Sequence, residues 1–280
     1  MPNRWCVAET GFQDSRIQAN YQTSFTNKGL RGILFYMAQP WQTLDSIVTK
    51  DGTLELRQRG ERDFLITVGG LVLMNSSAHR SEKALGTMAC SHLKNHPVPR
   101  VLVAGLGMGY TLRAVLDELP ATARVVVGEL NPVVLAWCQG PLAELTRGAA
   151  ADPRVSVAIA DVADLIRNAA SSGERFDAVV LDLYTGPHAR SHKRDDPLYG
   201  SRAIEQTRAA LNPGGVFAVW GENYDAGFVE RLQSAGFTVK SDRPGRGGLR
   251  HVVYVASLPT TVGQSFPGGN KSGVKGRSRG

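Results

Sequence analysis

Between residues 42 and 74 the apolar positions come in short runs cut by turn signals. Ser46-Ile47-Val48 precedes Asp51-Gly52, and Leu54-Glu55-Leu56-Arg57 alternates apolar with polar. Phe64-Leu65-Ile66 is followed by Gly69-Gly70 and then by Leu71-Val72-Leu73-Met74. A period of two with Asp-Gly and Gly-Gly turns predicts antiparallel hairpins, hence a small β-domain. Ser81 to about Leu93 then reads as a helix, with Ser81 or Ser77 as its N-cap, closed by Pro97 and Pro99.

From Val101 the pattern changes. Short β-branched runs alternate with segments whose apolar residues recur every three to four positions. The expected strands are at Val101–Val103, Arg124–Glu129, Val155–Ile159, Phe176–Leu181, Val216–Trp220, Gly236–Val239 and His251–Val255. Expected helices lie at 111–119, 132–138 (with a further piece at 141–145), 162–169, 201–211 and 226–235, and Asn212-Pro213-Gly214-Gly215 reads as a turn. Such alternation predicts an α/β fold with a mainly parallel sheet, and the last two strands predict an antiparallel hairpin at its edge. The implied organisation is an N-terminal arm (1–40), a small β-domain with a linking helix (41–96), an α/β domain (97–258) and a basic tail (259–280).

The first strand of that sheet stops abruptly at Gly105-Leu106-Gly107-Met108-Gly109. Three glycines in five residues permit a sharp turn and a close approach to a ligand. The following helix aims its N-terminal N–H groups at the same place. The second strand ends in Glu129, about twenty residues on, where doubly wound nucleotide folds place an acid that bonds a ribose diol. The third ends at Ala160-Asp161-Val162. Asp161 is suited to accept from an adenine amine, with Val162 beside the ring. The fourth ends at Asp182. The compact GLGMG spacing, with acids after successive strands, looks like S-adenosylmethionine (SAM) enzymes of Rossmann-like, methyltransferase-type fold; an NAD site is the runner-up.

Composition narrows the picture. At 280 residues and 42% hydrophobic, the chain can bury a sizeable core. No apolar run reaches membrane-spanning length and no signal-peptide core opens the chain, so a cytoplasmic protein without membrane contact is expected. Cys6, Cys90 and Cys138 have no zinc-type spacing. The net charge of +7 owes four charges to the acid-free tail residues Lys271, Lys275, Arg277 and Arg279, which reads as a solvated segment rather than a nucleic-acid contact.

A small β-domain, a SAM-type sheet and a Leu-Asp pair closing the fourth strand before a Gly-Pro loop resemble the spermidine synthase family of aminopropyltransferases. Leu71 to Leu85 is similar to the strand and helix before the glycine loop there. The resemblance covers roughly Leu54 to Val255 and implies a decarboxylated SAM donor, an amine acceptor, a homodimer and no metal. It implies that Gly105, Gly107 and Gly109 line the donor, that Glu129 holds the ribose and that Asp161 faces the adenine. Asp182 matches the first acid of the family's D-x-x-D loop, which orients or deprotonates the attacking amine, and Tyr184 lies beside it.

Two positions depart from that pattern. Met108 stands where the family carries an acid in the glycine loop, and Thr185 where the second D-x-x-D acid belongs. The loop beyond carries His188, Arg190, His192, Lys193 and Arg194 before Asp195 and Asp196, which suits a carboxylate-bearing substrate or a solvated loop. The leading expectation is aminopropyl transfer to an amine. A SAM-dependent methyltransferase acting on a small molecule is the alternative, and a non-catalytic nucleoside-binding or interaction protein is the third.

Overall fold

A computed structural model describes residues 39–188, 193–245 and 251–260. The expected arm and tail, together with Arg190 and His192, lie almost wholly or entirely outside the described residues. No described helix is long and apolar enough to cross a membrane.

Strands β1 (Gln42–Thr49), β2 (Gly52–Arg59), β3 (Asp63–Val68) and β4 (Leu71–Asn75) form an antiparallel sheet in chain order. The alternation read from sequence is physical: Leu54 and Leu56, then Phe64 and Ile66, are buried from one face. They join a single hydrophobic cluster with Val101, Val103, Leu112 and Trp137, so the small sheet shares its core with the rest of the molecule. Asp45 in β1 adds a polar tie, accepting from Trp137 Nε1 at 2.8 Å.

Helix α1 (Arg80–Cys90) starts differently from the expectation. Its N-cap is His79, with no side-chain capping bond. Ser77 is engaged earlier, because Asn75 Oδ1 accepts from both its N–H (3.1 Å) and its hydroxyl (2.8 Å). Ser81 lies inside the first turn and gives its hydroxyl to Glu82 instead.

The remaining elements alternate: β5 (Arg100–Ala104), α2 (Tyr110–Glu118), β6 (Arg124–Glu129), α3 (Pro132–Gln139), β7 (Val155–Ile159), α4 (Val162–Ser172), β8 (Phe176–Leu181), α5 (Ser201–Ala209), β9 (Leu211–Gly221), α6 (Ala226–Ser234), β10 (Thr238–Asp242) and β11 (Val252–Ser257). The sheet order is β10-β11-β9-β8-β5-β6-β7. The five strands from β9 to β7 are parallel, while β11 runs antiparallel to both β9 and β10, as the edge hairpin required. All six residues of β8 are buried, as expected of a central strand covered on both faces.

Two local expectations change. The Asn212–Gly215 turn lies inside β9; Gly214 takes φ +77°, and the slip is absorbed by an irregular register with β8 between Phe176 and Ala178. The piece after Pro141 is 3-10 helix at Ala143–Thr146, ended by left-handed Arg147 (φ 55°) and Gly148 (φ 68°).

Two contacts fix α2. Arg154, leading into β7, donates from Nη1 to the carbonyls of Leu116 (2.9 Å) and Leu119 (3.0 Å) at the end of α2. Its Nε and Nη2 grip both oxygens of Asp152, holding that carboxyl down at about 2. At the other end, Gly86 of α1 lies so close to α2 that a Cβ there would stand 2.7 Å from Ala114 Cβ and 2.8 Å from the Thr111 carbonyl oxygen.

Candidate active site

β5 has β6 on one side and β8 on the other, so the chain leaves β5 and β8 in opposite directions. Ligands of open α/β sheets bind in the crevice that this reversal opens at the carboxyl edge. The glycine turn follows β5 and Asp182 follows β8, so both expected halves of the site meet there.

The turn is built for close approach. Gly105, Gly107 and Gly109 have φ of 83°, 50° and 81°. A Cβ on Gly105 would collide with the Asp182 carbonyl oxygen, so the strand ends are held together by the missing side chain. Gly109 is the N-cap of α2. Beneath the loop lies Met74 of β4, whose sulfur is 3.2 Å from Met108 N. The Met108 side chain is fully buried in the core cluster. Its burial gives a packing reason for an apolar residue at this position.

Glu129 closes the other side of the turn. Its Oε2 accepts from Leu106 N at 3.0 Å and its Oε1 from Asn131 N at 2.9 Å. Burial pushes its pKa up, and the backbone N–H groups of Asn131, Leu106 and Leu130 oppose that shift. Three backbone N–H groups use three of the roughly four lone-pair sites of the carboxylate, which leaves acceptor capacity for a ligand hydroxyl. Cys138 lies nearby with Sγ 3.2 Å from the Gly107 carbonyl, and burial pushes its thiol up to about 12, so it is a packing group.

Asp161 caps α4 from the end of β7, accepting from Ala163 N at 2.9 Å. Val162 is 5% exposed and belongs to the second hydrophobic cluster. A Cβ built on Gly128, at the end of β6, would come 3.6 Å from Val162 Cβ, so Val162 packs across to the neighbouring strand end. Tyr184 is exposed (42%) in the loop after β8, beside Thr185. The Thr185 carbonyl accepts from the hydroxyl of buried Tyr199 at 2.8 Å.

Asp182 is half-buried. Its Oδ2 accepts from the Thr111 hydroxyl at 2.5 Å, and Thr111 Oγ1 also lies 3.2 Å from the Glu82 carbonyl oxygen. Desolvation, then the negative charge of Glu82, push the Asp182 carboxyl up to about 7, against the Thr111 hydrogen bond. An acid in that range is matched to taking a proton near neutral pH.

Sequence reasoning missed what stands behind Asp182. Glu82 in the first turn of α1 is buried, at 8% exposure. Ser81 Oγ donates to Glu82 Oε2 at 2.6 Å and lies 3.1 Å from His251 Nδ1, just before β11. The His251 ring stands edge to face with Trp220 of β9, centroids 4.7 Å apart. Trp220 Nε1 is buried with no partner among the described residues. An acid in the first turn of a helix was the one available sequence signal.

No known family profile matches the chain. It is 37% identical over 122 residues to polyamine aminopropyltransferase 1 of Hyperthermus butylicus, covering 43% of this chain and 40% of that protein. It is 30% identical over 192 residues to the polyamine aminopropyltransferase of Mycobacterium tuberculosis, covering 65% of this chain and 34% of the relative. The aligned regions thus span well under half of these curated relatives. In fold it matches spermidine synthase of Thermotoga maritima with a TM-score of 0.59 at 20% identity, over 78% of this chain and 74% of that one. A spermidine synthase solved with the transition-state analogue AdoDATO matches at a TM-score of 0.58 and 20% identity, over 78% and 73%. The resemblance read from the sequence therefore holds: the chain is similar in sequence to polyamine aminopropyltransferases and in fold to spermidine synthases.

Proposed function

We propose that the chain is a spermidine synthase-like transferase that moves an aminopropyl group from decarboxylated SAM to an amine acceptor. The observation that carries this reading is Asp182, an acid at the switch-point crevice whose proton affinity is tuned to about 7. Two further facts support it: the glycine turn with Glu129 beside it, and relatives named polyamine aminopropyltransferase.

A sulfonium donor is already activated, so the protein must position two reactants and remove a proton. The glycine turn and the start of α2 would hold the nucleoside, Glu129 its ribose, and Asp161 with Val162 its adenine end. Asp182 takes a proton from the acceptor ammonium. The freed nitrogen lone pair forms the new N–C bond as the C–S bond breaks, and its electron pair stays on sulfur as a neutral thioether. Tyr184, at the exposed rim, would border the acceptor. A small amine as partner, a homodimer as assembly and a cytoplasmic setting go with this reading. No metal has a part in it.

The test is calorimetry of decarboxylated SAM and SAM side by side, followed by product analysis with a panel of amines. Tighter binding of the decarboxylated donor, with thioether release, is expected. Preference for intact SAM with methylated product would replace this reading by methyl transfer. No binding of either would remove the nucleoside site.

A further inference from the structure

The sequence lacks the second acid of the acceptor loop, because Thr185 occupies that position. The fold brings in another carboxylate from a different element. Glu82 approaches Asp182 from α1, and the Thr111 hydroxyl lies between the two residues, within reach of Asp182 Oδ2 and of the Glu82 backbone carbonyl. Ser81 fixes the Glu82 carboxylate by donating to Oε2. Because that bond uses the only proton of the Ser81 hydroxyl, the 3.1 Å contact with His251 has Nδ1–H donating to Ser81 Oγ. His251 thus orients Ser81, and Ser81 orients Glu82.

Among the described residues neither Glu82 nor Asp182 has an ion pair with lysine or arginine. The negative charge of Glu82 makes ionising Asp182 more costly, and an opposite charge placed by both acids removes that cost. An alkylammonium supplies one positive charge and three N–H donors, enough to serve both acids.

We propose that Glu82 is the second carboxylate of the acceptor site and that it binds the attacking nitrogen as an ammonium jointly with Asp182. This rests on the aminopropyl-transfer reading for its reaction, though not for its binding step. Glu82 Oε1, not engaged by Ser81, meets the ammonium while Asp182 takes the proton that leaves it. The acid absent at Thr185 is replaced in space from another helix. Ser81 and His251 are positioning residues for it.

The test is direct binding of 1,4-diaminobutane to the full chain by calorimetry, without donor, in the wild type, Glu82→Gln, Glu82→Asp and Ser81→Ala. Glu82→Gln should weaken the diamine at least tenfold while binding decarboxylated SAM as the wild type does. Glu82→Asp, which restores the charge, should recover most of the affinity, and Ser81→Ala should lose a smaller part. Donor binding and the melting curve report whether each variant is folded; if Glu82→Gln does not fold, the Glu82→Asp and Ser81→Ala affinities decide. Diamine affinity unchanged in Glu82→Gln, or no binding by the wild type, overturns the proposal. Wild-type diamine binding without product from decarboxylated SAM would leave Glu82 in place and sink the aminopropyl-transfer reading instead.

Discussion

The Thr111 hydroxyl donates to Asp182 Oδ2 at 2.5 Å, joining the first turn of α2 to the end of β8. This bond lowers the carboxyl's proton affinity while burial and Glu82 raise it, and the balance lies at about 7. Replacing Thr111 with valine keeps the shape and removes the bond. The acid limb of the kcat/KM profile should then move to higher pH, with donor affinity retained. An unmoved limb would separate Asp182 from the titrating group.

Asp182→Asn should cut kcat by about 100-fold or more, the usual size of a lost general base, with donor affinity nearly intact. It should also stabilise the fold at alkaline pH. A raised carboxyl binds its proton more tightly in the folded state, so wild-type stability falls as pH rises from the unfolded value towards about 7. The variant's melting temperature should therefore exceed that of the wild type at pH 8 by more than it does at pH 5. Loss of donor binding would place Asp182 in the nucleoside pocket.

Glu129→Ala should weaken decarboxylated SAM by about 1–3 kcal/mol through lost charge-assisted hydrogen bonds. It also strands the N–H groups of Leu106 and Asn131, so a stability loss of similar size is expected. Calorimetry and thermal unfolding read the two effects separately. Unchanged donor affinity with lowered stability would leave Glu129 as a loop brace only.

Gly105→Ala meets a left-handed backbone and the Asp182 carbonyl together. The strand ends must part, at a cost of about 2–4 kcal/mol from overpacking and strain. Reduced Tm with donor binding lost in parallel is the expected outcome. A neutral variant would show that the turn is not held as tightly as its geometry implies.

Below neutral pH, Asp152 sets a second limit. Its grip on Arg154 holds the carboxyl near 2, so the contribution is present above the ordinary aspartate value and is lost as pH falls towards 2. Asp152→Asn should flatten the stability-versus-pH curve between about pH 4 and 2 relative to wild type. A curve parallel to wild type would assign acid unfolding to other groups.

The sheet and the acids and glycines at its carboxyl edge were legible because their signals are local. A β-branched run, three glycines and a helix period lie within about twenty residues, and Glu129, Asp161 and Asp182 each sit where a strand ends. The surroundings of Asp182 were not legible. Glu82 looks like an ordinary acid in a helical first turn, and its setting comes from Ser81 touching His251, 170 positions away. Ser81 resembled a cap because serine near a helix start usually is one, yet Asn75 had already organised that turn. Met108 looked like a lost charge; it is a core side chain, covered by β4 from outside the sheet.

Gly86 lets α1 and α2 touch backbone to side chain, with no layer of side chains to slide upon. Glu82 rides on one of these helices and Thr111 on the other. Glu82 and the hydroxyl that holds Asp182 are therefore carried by a single stiff body, and their spacing is inherited from the scaffold. Tyr184, exposed in the loop after β8, stands apart from that body, so its substitution leaves Glu82, Thr111 and Asp182 in place. Under the proposed reading, the exposed rim can change under selection while the helix pair that holds Asp182 stays as it is.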